Sequence, residues 1–201
     1  MRLPYVPNPP PTSSAEHAAI VSRIEARRAP RPLQSLDLTL LHSPAVADGW
    51  NTFLGAIRTQ TSLTPDVREL AISRVAVCNK AWYEWKHHAP LAAQAGVSAE
   101  ALEVVKQDVL DAAQRPAELL SEKQWAVLLY TDEMTRNVHV KDETFAKVKE
   151  LFNDQEVVEI TATLTKAHMD KVATYNCVSR FLVALDVGER NGTGPDDVSA
   201  H

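Results

Sequence analysis

Hydrophobic positions recur along this chain at close to 3.6 residues. From Ser43 to Ile57 the residues Val46, Trp50, Phe53, Leu54 and Ile57 fall on one side of a helix that opens on Ser43-Pro44. Thr64-Pro65 opens the next in the same way, with Val67, Leu70 and Val77 inward, and Asn79-Lys80 reads as its break. An earlier segment, residues 14–28, carries Ala18, Val21 and Ile24 and stops before Pro30 and Pro32. Further helices are predicted over 81–95, ending at Gly96, and from Ser98 with Leu102, Val105 and Val109 aligned. Ser121 and Gln124 form a capping box for one that holds Trp125, Leu128 and Leu129, and a short one follows over 142–152.

Asn153 and Glu156 cap the last segment. Its stripe runs Val157, Ile160, Leu164, His168, Val172, Tyr175, Val178, Leu182 and Leu185 before Gly188. One long buried helix, or two in line, would make this segment the spine of a bundle. Short β-branched runs bounded by turn residues are almost absent. The fold class expected is all-α, a bundle of about seven or eight helices over residues 14–187.

Both ends read differently. Residues 1–13 are proline-rich and predict an extended arm; residues 188–201 predict a flexible tail. Composition narrows the function classes. With 21 basic and 26 acidic residues the net charge is −5, and no block of one sign is long enough to serve nucleic acid. No apolar run is long enough to span a membrane, and the N-terminus lacks the apolar core of a secretory signal. A soluble, cytoplasmic protein acting on a small molecule is expected. Cys78 and Cys177 fit no metal or redox spacing and read as two reduced thiols.

Candidate chemistry concentrates between Glu69 and Gly96. Glu84 and His88 lie one helical turn apart, above Leu91 and Ala95, with Trp82, Trp85, Ala89 and Ala92 on the flanking line. A carboxylate against an imidazole favours the charged form of both and supplies a proton donor and acceptor near neutral pH. The same spacing serves equally as a structural tie along a helix. Tyr83 could hold a substrate oxygen or rim an interface, and His87 reads as solvated. Glu69 shares a line with Ile72 and Ala76, so its carboxylate needs a partner, His88 or a backbone donor. His168 and Tyr175 are one heptad apart on the last stripe and join the candidates as substrate contacts, with Trp82 and Trp85. Glu84, His88 and His168 could together ligate a metal, but the two-histidine helical spacing is missing, and the expectation is no metal.

These residues resemble a known family. Arg68-Glu69-Leu70-Ala71-Ile72, Tyr83-Glu84-Trp85 with His88, and Ala95-Gly96-Val97-Ser98 look like the carboxymuconolactone decarboxylase family, in the superfamily of the alkylhydroperoxidase AhpD-like proteins. Glu156 to Ile160, Tyr175-Asn176 and Arg180 extend the likeness over roughly residues 43–187. In the peroxidase branch a glutamate precedes a Cys-x-x-Cys and a histidine follows it; laid onto this chain these are Glu69, positions 81 and 84, and His88. Ala81 and Glu84 replace the two thiols, so dithiol peroxide reduction is not expected.

The decarboxylase branch implies proton transfer on a small cyclic acid without metal or organic cofactor. On that resemblance His88, Glu84, Glu69 and Tyr83 are the catalytic candidates of a lyase or isomerase acting on a keto or lactone acid. The alternatives are a non-catalytic binding or assembly protein and, third, a remnant peroxidase using Cys78. The resemblance also implies a homo-oligomer, trimer or hexamer if not a dimer, with the proline arm free to wrap a neighbour.

Overall fold

The computed structural model describes residues 2–164, 175–188 and 194–196. They contain ten α-helices and no strand: α1 (Ala15–Arg28), α2 (Ser35–Leu40), α3 (Pro44–Thr59), α4 (Pro65–Cys78), α5 (Trp82–Gln94), α6 (Ala99–Lys106), α7 (Glu122–Arg136), α8 (Asp142–Leu151), α9 (Asp154–Leu164) and α10 (Tyr175–Leu185). The all-α reading holds. The count rises above seven or eight because of α2, too short for a periodic stripe, and because the last segment is described as two helices, α9 and α10, on either side of residues outside the description. What lies between those two, His168 included, falls outside the described residues.

Local signals explain most boundaries. The Ser14, Ser98 and Ser121 hydroxyls each accept an amide at a helix start, and Gln124 returns the bond to Ser121. Proline stands at the first turn of α3 and α4, where no amide is required. The break after α4 is made by Lys80 at φ 54°, while Asn79 stays at φ −94°. Asn79 is used differently: its side-chain amide donates to the Val75 carbonyl and to Asn176 Oδ1.

Among the described residues the spine is α4. Val67 and every residue from Glu69 to Val77 are buried, and α4 packs on α5, α6, α7, α9 and α10. A helix surrounded on all sides has no polar face to show, so its stripe is faint in the sequence. Of its buried polar side chains, Glu69 and Arg74 find partners on other helices, while Ser73 Oγ has none among the described residues. Arg74, fully buried, donates to Asp132 Oδ2 at 2.8 Å and to the backbone carbonyls of Val105, Gln107 and Asp108. Asn176 of α10, also fully buried, donates to Leu164 O at 2.6 Å and Thr135 Oγ1 at 3.1 Å, tying α10 to α9 and α7.

The N-terminal segment lies along its own bundle. The Arg2 amide donates to Leu185 O, the Val6 amide to Leu38 O, and Tyr5 and Val6 pack against the core. Tyr5 Oη accepts the Gly188 amide at 3.0 Å. Gly188 has φ 77°, and a Cβ there would come within 2.1 Å of the Tyr83 ring. We therefore expect Gly188→Ala to destabilise by at least about 1–3 kcal/mol from backbone strain and collision. A lowered thermal midpoint checks this; an unchanged one would show that Tyr83 moves aside freely.

Candidate functional site

The site forms where α3, α4, α5 and α10 meet. Glu69 comes from the middle of α4, His88 and Glu84 from the inner side of α5, Arg58 from the last turn of α3, and Tyr175 and Ser179 from α10. Glu69, Glu84 and His88 are 6%, 2% and 3% exposed, and Tyr175 and Ser179 are fully buried. Buried ionisable groups of this density need partners, and nearly all of them have one.

His88 is held from both sides. Its Nδ1 lies 2.7 Å from Glu69 Oε2, and its Nε2 lies 3.1 Å from Arg58 Nη2. A guanidinium can only donate, so Nε2 accepts, and the ring proton sits on Nδ1 and is given to Glu69. Arg58 Nε in turn donates to Tyr175 Oη at 2.7 Å, and the Tyr175 ring meets the His88 ring edge-on, centroids 5.1 Å apart. Glu84 Oε2 accepts from the Ser179 hydroxyl at 2.8 Å, while Oε1 is buried with no partner.

Of the partners expected for Glu69, the structure supplies His88. The expected Glu84–His88 pair is corrected: the two share a face of α5 without bonding to each other, and burial disfavours the charged form of both. Burial lifts the Glu84 carboxyl well above the ordinary range, offset only in part by Ser179 and Arg58. Burial also pushes the His88 imidazole down, to about 4, against the pull of Glu69. Glu69 goes the other way: burial would raise it, but the hydrogen bond from His88 and the presence of Arg68 outweigh that and leave it below the usual value. Burial thus biases Glu84 toward its protonated form and His88 toward the neutral imidazole, while Glu69 is favoured as the carboxylate.

A cleft of about 130 Å³ opens onto these groups. Tyr83, Glu84, His87, His88 and Tyr175 line it, with Arg28, Arg31 and Arg58 among the other walls. His87 is thus half-buried at the cleft instead of solvated; its Nδ1 is 2.7 Å from the Tyr83 carbonyl and its ring lies tilted against that of Tyr83, centroids 4.4 Å apart. Trp82 and Trp85 are not in this cleft. They face the other side of α5 and line a separate apolar hollow with Ala89, Leu102 and Lys106. Helical rotation explains the division: residues 84, 87, 88 and 91 turn one way, 82, 85, 86 and 89 the other. His168 lies outside the described residues. Among those described, no group of three or more His, Cys, Asp or Glu could hold a metal ion. Cys78 is tied up elsewhere, its thiol 3.1 Å from Asp132 and pushed up to about 12 by burial and that carboxylate.

Sequence reasoning missed Arg58 and Ser179. Arg58 directly follows Ile57, the last residue of the α3 stripe, and looks like an ordinary helix-end cation; Ser179 had no signal at all.

The loop of elements that supplies Arg58, Glu69, Glu84 and His88 is also the segment with known relatives. Residues 44–119 match the carboxymuconolactone decarboxylase family. That match supports the family-level resemblance read from the sequence and spans α3 to α6, under half of the chain. No curated protein and no solved structure matches the chain. Tyr175, Ser179 and the cleft arginines Arg28 and Arg31 lie outside the matched residues. No helix of the described residues is long and apolar enough to cross a membrane.

Proposed function

We propose that the protein is a lyase or isomerase of the decarboxylase type, acting by general acid–base chemistry on a small cyclic keto or lactone acid. One observation carries this reading: a buried carboxyl with an unpartnered Oε1, biased by burial toward its protonated form, and an imidazole oriented by Glu69 line the same small cleft. Together they hold one proton to give and one site to take one at neutral pH, the complement that proton transfer beside a carbonyl requires.

The roles follow from the atoms. His88 Nε2 takes the proton from the carbon next to the carbonyl, and the C–H electron pair moves onto the carbonyl oxygen. Glu69, bonded to Nδ1–H, keeps the ring in one tautomer and stabilises the imidazolium that forms. Glu84 Oε1–H gives its proton to the developing enolate oxygen or to the carbon that loses carbon dioxide. In the decarboxylation the C–C pair enters the carbonyl system, carbon dioxide leaves, and the proton from Glu84 fills the vacated position. Tyr83 and Tyr175 form walls against which the ring of the substrate stacks.

Incubation with a panel of small cyclic keto and lactone acids in heavy water is the test. Deuterium enters beside the carbonyl, or carbon dioxide is released, faster than in buffer for at least one member. A panel inert to both would sink the reading. A second reading, a non-catalytic binding or assembly protein, draws support from the Arg58 contact that covers Nε2. Tight ligand binding with no exchange would favour it. The remnant-peroxidase reading has no support at Cys78, whose thiol stays protonated.

A further inference from the structure

Arg58 has no task in the acid–base steps, yet it sits on the atom those steps need. Its two described side-chain hydrogen bonds end on neutral acceptors, the Tyr175 phenol at 2.7 Å and the His88 imidazole at 3.1 Å. A guanidinium is matched in shape and charge by an oxyanion, which makes two parallel charge-assisted bonds with it. The cleft around it supplies none. Among the residues lining it Glu84 is the sole carboxyl, and it is bonded to Ser179. The other two arginines of the lining do not compete equally: Arg28 is already paired with Asp37 at 2.7 Å, both buried, and Arg31 is exposed to solvent. Arg58 is thus the part-buried cation of the cleft without a carboxylate hydrogen bond, in contact with His88.

We propose that Arg58 is the receptor for an anionic group on the ligand of this cleft, and that in turning to that group it uncovers Nε2 of His88. The consequence for catalysis rests on the acid–base reading above; the binding and the uncovering do not. An uncharged analogue would leave the imidazole lone pair covered, so the base would be released only by a ligand able to exchange an oxyanion for the imidazole. Tyr175 holds the other edge of the guanidinium at Nε, so the motion required is a pivot of the Nη end about that bond and not a withdrawal of the side chain.

The test uses acetate as the probe, small enough for a cleft of about 130 Å³, and acetamide as its neutral counterpart. The full chain with ¹⁵N-labelled histidine is titrated while the His88 ring nitrogens are observed by nuclear magnetic resonance. Acetate shifts the Nε2 signal saturably and makes His88 easier to protonate; acetamide does neither. In Arg58→Ala the cap is lost at once, so His88 becomes about tenfold easier to protonate without acetate, and acetate adds nothing. Arg58→Lys, which keeps the charge but not the fork, retains a weaker acetate response; it also reports if the alanine variant does not fold. An Nε2 signal indifferent to acetate in the wild type, or an acetate response undiminished in Arg58→Ala, overturns the proposal. Because no turnover is measured, an inert panel in the heavy-water assay would remove the catalytic reading and leave this result standing.

Discussion

His88→Ala lowers turnover by about 10²–10⁴-fold, the range removed with a general base. Glu84→Gln falls in the same range, since an amide fills the site next to Ser179 but has no acidic proton to deliver. Glu69→Gln loses less than His88→Ala, because a side-chain oxygen remains to accept Nδ1–H while the charge that stabilises the imidazolium is gone. The pH profile separates these roles. The base limb follows His88, held down at about 4 by burial, so activity stays on a plateau toward acid and drops only near that value. The acid limb follows Glu84, which burial raises, so activity is lost on the alkaline side as that carboxyl ionises. In Glu84→Gln the plateau is lower and the alkaline drop disappears. Variants with wild-type turnover at both positions would show that the pair is structural.

Asp132→Ala should be the most destabilising single change away from the site. It strands Arg74, whose side chain is fully buried and whose charge is matched by Asp132 alone, the other partners being backbone carbonyls. Breaking a buried pair by removing one member costs about 3–5 kcal/mol, because the remaining charge is left in a low dielectric. In a chain of this length that is a fall of roughly 10 °C in the thermal midpoint. Replacing both partners at once, with Arg74→Met and Asp132→Leu, should recover much of the loss, since the penalty belongs to the orphaned charge. If Asp132→Ala melts within about 2 °C of the wild type, the pair carries no such weight.

The two predictions draw on different layers of information. Helix starts at Ser14, Pro44, Pro65, Ser98 and Ser121 were readable because a cap is a local device, needing only neighbours within one turn. Surface helices such as α3 were readable because one face meets water and the other does not. The spine was not, since α4 is enclosed on every side and its sequence lacks that contrast. The likeness to the carboxymuconolactone decarboxylase family was carried by short runs on α4 and α5, the part of the chain where the family match lies.

For the site, the sequence determined that Glu84 and His88 occupy one line of one helix and that Glu69 is a carboxylate in apolar company. Periodicity fixes such things, because a residue's face depends only on its own helix. Which groups bond to which was decided by tertiary structure: Glu69 rather than Glu84 for His88, Ser179 for Glu84, Arg58 over Nε2, and the tryptophans turned to a different hollow. Those contacts join residues as much as 95 positions apart. The charge states follow from the same source. Spacing suggested an ion pair, but the cost of burying charge exceeds what a pair without a mutual hydrogen bond returns, so the carboxyl is pushed toward its protonated form and the imidazole toward its neutral one.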